Sequence, residues 1–126
     1  MDVKFYRCTH CGNVVVKTFD SGVPVVCCGE KMGELIANSV DAAVEKHVPV
    51  VTVDGAKVQV EVGSVAHPMT PEHLIAFICL VMKKGYQIVE LSAQDEPKAT
   101  FALDAGDVAV RAYEYCNLHG LWVAEI

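Results

Sequence analysis

Four cysteines lie within the first 28 residues, in the order Cys8-x2-Cys11, fifteen residues, and Cys27-Cys28. A Cys-x2-Cys pair places two thiolates on one turn, and a second pair can complete a tetrahedron around one ion. A unit of fewer than about 40 residues cannot bury enough apolar surface to fold alone. We therefore predict a small metal-binding module over residues 1–36 that depends on its ion, on a partner subunit or on both for stability.

The spacing of these cysteines does not by itself choose the metal. Four thiolates at about 2.3 Å suit zinc as well as iron. The adjacent Cys27 and Cys28 are unusual, because neighbouring side chains must splay apart to bind one ion. His10 lies between the first two cysteines, and we interpret it as an exposed polar residue, since four thiolates already complete the shell.

Composition excludes several classes of protein. The chain has 126 residues, 52% of them hydrophobic and 21% charged, which is typical of a globular protein. Its longest apolar run, Leu74 to Met82, is too short to span a bilayer, and the first residues lack the apolar stretch of a signal peptide. We therefore expect a cytoplasmic protein, in which the six cysteines bind metal or do redox chemistry instead of forming disulfides.

The charge balance argues against polyanionic partners. The formal net charge is −6, and Lys83-Lys84 is the one adjacent pair of basic residues. Binding to phosphate backbones or anionic lipids needs a basic face. We expect neither nucleic acid nor membrane as a partner.

Residues 37–126 are predicted to form an antiparallel β-sandwich. Asn38 to Glu45 resembles a helical turn with a Ser or Asn cap, and Pro49 ends any helix there. Asp54-Gly55 between alternating valine runs predicts a hairpin. Further strands are expected within 73–91, over 98–103 and over 107–116, while Val14–Val16 and Val23–Val26 are expected as β stretches in the first module.

A second set of metal-ligating residues is spread over these strands and loops. Each lies close to Pro or Gly at the end of a predicted element, where rigid β folds present functional side chains. The set comprises His47, His67, His73, Cys116 and His119. Five ligands leave one octahedral position open, which favours a redox metal that binds a small molecule. Cys79 lies in the apolar run, and we interpret it as a core residue.

Taken in order, these motifs resemble the desulfoferrodoxin family, the two-iron superoxide reductases. The cysteine pattern is similar to the desulforedoxin-type module of that family. The segments Glu45-Lys46-His47-Val48-Pro49, Ala66-His67-Pro68-Met69 and Cys116-Asn117-Leu118-His119-Gly120 resemble its superoxide reductase domain. The resemblance extends from about Tyr6 to Trp122.

The resemblance implies two iron ions per chain. One is bound by Cys8, Cys11, Cys27 and Cys28. The other lies in an immunoglobulin-like β-sandwich, with equatorial His47, His67, His73 and His119 and axial Cys116. It also implies one-electron reduction of superoxide to hydrogen peroxide without dioxygen release, in an anaerobe, by a homodimer that accepts electrons from a rubredoxin-type donor.

Two further roles follow from the resemblance. Glu45 occupies the sixth iron position in the oxidised state, and Lys46 attracts superoxide and helps to deliver a proton. Two other functions stay open from the residues alone. The chain could be a rubredoxin-like electron carrier with a degenerate second site, or a structural zinc-binding protein.

Overall fold

The computed structural model describes residues 2–126, which form two compact units, Asp2–Ile36 and Ala37–Ile126. The first unit is built from five short strands. They are β1 (Phe5–Arg7), β2 (Val14–Val16), β3 (Val26–Cys27), β4 (Glu30–Lys31) and β5 (Gly33–Glu34). An antiparallel sheet has the order β2-β1-β5, and β3 and β4 form a separate hairpin. Few apolar side chains are buried here, chiefly Val3, Phe5, Cys8 and Met32.

The second unit contains one short helix and seven strands. They are α1 (Val44–His47), β6 (Pro49–Asp54), β7 (Lys57–Val62), β8 (Ile75–Met82), β9 (Gly85–Glu90), β10 (Lys98–Ala102), β11 (Ala109–Cys116) and β12 (Gly120–Glu125). The strands form two antiparallel sheets, of order β10-β7-β6 and β12-β11-β8-β9. The expected mainly β, antiparallel fold is confirmed.

The core of the second unit lies between its two sheets. Alternating valines of β7 (Val58, Val60 and Val62) are buried in the same cluster as Ile78 and Leu80 of β8. Period-two alternation directs such side chains to one face of each sheet. Cys116 at the end of β11 belongs to this cluster and is fully buried, so the packed core holds one potential metal ligand directly.

Several predicted elements are confirmed. The Asp54-Gly55 hairpin joins β6 to β7, with Asp54 opposite Lys57. The apolar segment 73–91 contains two strands, β8 and β9, and the strands expected over 98–103 and 107–116 are β10 and β11. Among residues 2–126, no helix is long and apolar enough to cross a membrane.

The predicted helical turn over Asn38 to Glu45 was wrong. The helix begins at Val44, and Ala43 at its N-cap makes no side-chain cap hydrogen bond. Asn38 instead has a positive φ of 59° and hydrogen-bonds β12. Its side-chain Oδ1 accepts from the Val123 N–H at 2.9 Å, and its Nδ2 donates to the Val123 carbonyl. The side chain of Asn38 therefore hydrogen-bonds strand β12 and does not cap a helix.

The first unit differs from expectation in several of its strands. Val14–Val16 forms strand β2, as expected. Of the expected β stretch Val23–Val26, only Val26 lies in a strand, which is β3 (Val26–Cys27). Strands β1, β4, β5 and β12 had no sequence-based prediction. The first three have only two or three residues each. In β12, the run Leu121-Trp122-Val123 lacks the polar alternation by which a half-buried strand is recognised.

Candidate metal centres

Five side chains of the second unit, four histidines and one cysteine, converge on one point, and we call them the histidine–cysteine group. Four different chain segments supply them. His47 ends helix α1, His67 follows the turn after β7, His73 precedes β8, and Cys116 and His119 bracket the β11–β12 turn. One ligand atom from each lies within 4.8 Å of all the others. The structure therefore brings together every residue predicted for the second site.

The ring orientations of His47 and His67 are set by backbone carbonyls. Nδ1 of His47 donates to the Ala43 carbonyl at 2.7 Å, and Nδ1 of His67 donates to the Pro68 carbonyl at 2.7 Å. In a neutral ring, a proton on Nδ1 leaves Nε2 as an acceptor. The two Nε2 atoms are 3.2 Å apart, so two lone pairs face each other with no proton between them.

Burial keeps these imidazoles neutral. It is the main cause that lowers the pKa of His67 to about 4 and lowers the pKa of His47 and His73 below the usual value. At neutral pH a proton therefore does not bridge the facing nitrogens. A metal cation satisfies such a cluster of lone pairs, and imidazole with one thiolate suits iron.

His73, Cys116 and His119 supply the remaining donor atoms of the histidine–cysteine group. Nδ1 of His119 lies 3.1 Å from Nε2 of His47 and 3.8 Å from Sγ of Cys116. Nε2 of His73 is buried without a hydrogen-bond partner among the described residues. An unpaired buried nitrogen is costly, and a bound metal removes that cost. The donor set of the histidine–cysteine group fits an iron ion.

Access to the group is one-sided. His47, His67 and Cys116 are buried, whereas His73 and His119 are partly exposed. The partly exposed residues His73 and His119 therefore lie on the solvent side of the group. Burial also raises the pKa of the Cys116 thiol, and the backbone N–H groups of Leu118 and His119 oppose that effect. Those N–H groups favour the thiolate, which is the form that binds metal.

Trp122 supports two of the histidines, and the sequence did not predict this. Its ring stacks on His47 with centroids 5.0 Å apart, and its Nε1 donates to the His119 carbonyl at 3.1 Å. It is the single tryptophan of the chain, and it lies three residues after His119. Its closeness in sequence to His119 was the one signal by which sequence analysis could have found this contact.

Asn117 connects two ligand-bearing loops, and it was also not predicted. Its Oδ1 accepts from the Leu74 N–H at 2.9 Å, and its Nδ2 donates to the Glu72 carbonyl at 2.9 Å. Its own N–H donates to the Leu74 carbonyl. These bonds hold both chain neighbours of His73 against the loop that carries Cys116 and His119. Orienting contacts of this kind commonly fix metal ligands.

Glu45 and Lys46 lie at the solvent-exposed edge of the same group. Both side chains are exposed on helix α1, directly before His47. After burial and other histidines, the positive charge of Lys46 is a further cause that lowers the pKa of His47 and His73. Glu45 acts on His47 with the opposite sign. The two predicted catalytic charges therefore act electrostatically on the histidine–cysteine group.

Two other titratable groups are buried in this unit. Glu114 is fully buried on β11, opposite Ile78 and Trp122, and neither carboxyl oxygen has a hydrogen-bond partner among the described residues. Burial raises its pKa to about 9, so it is neutral at pH 7. Burial raises the pKa of Cys79 to about 12, and its full burial agrees with the predicted core role.

The first unit brings its four cysteines together, and we call them the four-cysteine group. Their sulfur atoms lie within 4.8 Å of one another. Sγ of Cys11 and Sγ of Cys27 are 3.6 Å apart, and the Cys11 N–H donates to Sγ of Cys8 at 3.5 Å. That N–H is the main cause that lowers the pKa of Cys8 to about 6. Hydrogen bonds with the neighbouring thiols, first that of Cys11, raise the pKa of Cys28 to about 12, whereas a bound cation favours the thiolate.

A backbone kink lets the adjacent Cys27 and Cys28 face the same point. Cys28 has a φ of 52° and Gly29 a φ of 77°, so two consecutive residues adopt the left-handed region. For a cysteine this conformation costs about 1–2 kcal/mol. His10 stays outside the cluster and pairs with Glu30 at 3.2 Å, as its predicted exposed role requires.

Known proteins share both the sequence and the fold. Residues 39–125 match the family described as Desulfoferrodoxin. A desulfoferrodoxin of Syntrophotalea carbinolica is 46% identical, over 98% of this chain and 96% of that protein. The crystal structure of the superoxide reductase from Treponema pallidum has a TM-score of 0.84 and 45% identity, over 99% of this chain and 100% of that chain. A superoxide reductase of Pyrococcus horikoshii is 39% identical, over 65% of this chain and 86% of its own length.

The fold and the two donor sets define a mainly β metalloprotein. A group of four cysteines and a group of four histidines with one cysteine are consistent with the two iron sites of a desulfoferrodoxin. The chain belongs to the desulfoferrodoxin family.

Proposed function

We propose that this chain is a superoxide reductase, which converts superoxide to hydrogen peroxide with one electron and two protons and releases no dioxygen. The observation that carries the proposal is the histidine–cysteine group, partly open to solvent on one side. The relatives and solved structures named superoxide reductase support it.

The five side chains of the histidine–cysteine group hold the iron in this proposal. Iron bound there supplies the single electron that superoxide takes up. The carbonyls of Ala43 and Pro68 keep Nε2 of His47 and His67 deprotonated and pointed inward. Buried Cys116 contributes a thiolate, which donates electron density to a metal.

In this proposal Lys46 attracts the substrate and passes a proton toward it through water, and Glu45 is the residue that would bind the iron once it is oxidised. Superoxide is an anion and the chain carries −6, so the global field repels it. A local positive charge overcomes that repulsion within a Debye length of about 8 Å at physiological salt. Lys46 is exposed beside His47, and its charge acts on both His47 and His73, which supports this role.

The first unit is proposed as a desulforedoxin-like module with a second iron bound by the four-cysteine group. A rubredoxin-type donor supplies electrons, and the protein works in the cytoplasm of an anaerobe. A homodimer is part of the same proposal. Phe19, Val23 and Val26 expose 85%, 68% and 61% of their surface in a unit with few buried apolar side chains. A second copy of the chain is the expected cover, and sedimentation analysis should give twice the mass of one chain.

A single-turnover experiment tests the proposed activity. Protein purified without air is mixed with one equivalent of superoxide, and the visible spectrum and the peroxide yield are recorded. A thiolate-to-ferric band should appear, together with one hydrogen peroxide for each superoxide consumed. An unchanged spectrum in protein that contains iron would contradict the proposal.

A further inference from the structure

The turn after strand β7 lies against the backbone of helix α1. Gly63 is buried, with a φ of 80°, and its N–H donates to the Val48 carbonyl at 3.2 Å. The Val65 N–H donates to the Glu45 carbonyl at 2.9 Å. Ser64 adds a hydroxyl bond to the same carbonyl at 3.4 Å. Three consecutive residues therefore hold both ends of the segment from Glu45 to Val48.

Space at Gly63 is so limited that no side chain fits. A Cβ on this residue would lie 2.5 Å from the Val65 carbonyl oxygen, 2.6 Å from the Glu45 carbonyl oxygen and 2.8 Å from the carbonyl carbon of Lys46. All three atoms belong to the backbone, so a flexible side chain cannot move aside. The positive φ adds strain for any other residue.

We propose that Gly63 is a positioning residue for the reaction with superoxide, because its missing side chain lets the β7 turn fix the backbone that carries Glu45 and Lys46. The inference rests on the proposed function. Lys46 is exposed, and within residues 2–126 the structure shows no hydrogen bond or ion pair that holds its ammonium group. The ammonium group therefore ranges around the point where its backbone is held, and the turn holds that backbone at Glu45 and Val48.

The turn links this positioning to the iron ligands. It begins where β7 ends at Val62 and leads directly to His67, while the segment it holds includes His47. The same short connection thus places one ligand and, through Glu45 and Val48, braces the chain around another. A displacement of about 1 Å in such a group is enough to change a rate substantially.

The test compares Gly63→Ala with Gly55→Ala. Gly55 lies at the other end of the same hairpin with a φ of 58°, and a Cβ there meets nothing within 4 Å. Both variants carry the strain of a positive φ, but Gly63→Ala alone forces the α1 backbone to move. The control should leave both the rate and its salt dependence unchanged.

Gly63→Ala should slow the second-order reaction with superoxide by about tenfold at low ionic strength and flatten its salt dependence. Amide hydrogen exchange at Val65 should also become faster, a readout independent of turnover. In a Lys46→Ala background, Gly63→Ala should cause little further loss, because the charge it positions is already absent. Additive losses, or a rate and salt slope equal to those of Gly55→Ala, would overturn the inference.

Two further comparisons keep the result interpretable. If Gly63→Ala does not fold or loses iron, Ser64→Ala carries the test, since it removes the hydroxyl bond to Glu45 and adds no atoms. It should slow the reaction by about twofold, and an unchanged rate would overturn the inference. If Lys46→Ala itself reacts at the normal rate, the proposed role of Lys46 fails, and the inference fails with it. A slow Lys46→Ala beside a normal Gly63→Ala would reject the inference alone.

Discussion

Nε2 of His47 and Nε2 of His67 lie 3.2 Å apart, and both rings have their Nδ1 proton committed to a backbone carbonyl. Two neutral acceptors at this distance repel each other unless a cation lies beside them. The arrangement is stable with metal bound and unfavourable without it. Retention of the second iron should therefore depend on both rings.

His67→Ala tests that dependence through the iron content. The variant should keep one iron per chain, in the four-cysteine group, and lose the other, because a deleted imidazole leaves an incomplete donor set. His10→Ala is the matched control, since His10 is exposed and pairs with Glu30 outside both groups. Elemental analysis of protein purified without air gives the result. Two irons retained in His67→Ala would contradict the assignment of this ring as a ligand.

Lys46→Ala should slow the second-order reaction with superoxide by about tenfold at low salt and flatten its ionic-strength dependence. The iron content should stay unchanged. Lys57→Ala removes the same charge at the far end of the β6–β7 hairpin, about 17 Å away along β6. Its charge acts more weakly than that of Lys46 at low salt because of this distance, and it is screened at physiological salt. Pulse radiolysis across ionic strengths compares the two variants. Equal behaviour of both would show that net charge, and not local position, controls the rate.

Glu45→Ala should leave turnover largely intact and change the spectrum of the oxidised protein. The reason is that the carboxylate is proposed to bind iron only after oxidation, when the reaction with superoxide is complete. Glu45 is exposed next to His47, so its removal leaves no buried cavity. Visible spectra after addition of a strong oxidant measure the effect. Identical oxidised spectra for the variant and the natural protein would count against this role.

Asn117→Ala should weaken the hold on His73, because the hydrogen bonds to Leu74 and Glu72 are lost. We expect about 2 kcal/mol less free energy of unfolding and faster loss of the second iron to a chelator. Asn38→Ala is the matched control, since Asn38 also makes two side-chain bonds to backbone, but to β12 at Val123. It should lose stability without faster iron release. Equal chelation rates in the two variants would reject the role of Asn117.

Cys79 predicts a pH dependence of stability. Its pKa is raised to about 12 by burial, whereas an unfolded thiol ionises near a pKa of about 8.5. The neutral thiol therefore contributes fully below the unfolded value, and the contribution declines as pH rises from there toward 12. The free energy of unfolding, relative to Cys79→Ala, should fall by about 1.4 kcal/mol per pH unit in that window. Urea unfolding without air at pH 7.5 and 10 measures it, and a constant difference would contradict the burial argument.

The side chains that converge in the two groups were predicted from residue type and position, without any knowledge of the fold. His67 by itself would be an ordinary polar residue, and it was chosen because four histidines and one cysteine all lie near Pro or Gly at the ends of predicted elements. What sequence missed depends on contacts between distant segments. Asn117 reaches 43 residues along the chain to Leu74, and Gly63 meets the carbonyl of Glu45 from another element. Neither partner is visible in a local pattern.

The misplaced helix has a similar cause. Asn38 has the residue type of a helix cap, and local propensity favours that role. In the folded protein, the side chain of Asn38 instead hydrogen-bonds the backbone of Val123, which is distant in sequence. The hairpin at Asp54-Gly55 was predicted correctly because a two-residue turn and alternating valines are local signals that tertiary packing reinforces.

The most direct test of the proposed reductase activity is the product stoichiometry of superoxide consumption. Iron-loaded protein and an excess of an electron donor are supplied with a measured flux of superoxide, while peroxide and dioxygen are recorded together. We expect one hydrogen peroxide for each superoxide and no dioxygen. One hydrogen peroxide for every two superoxides, with dioxygen released, would show dismutation and contradict the proposed reductase activity.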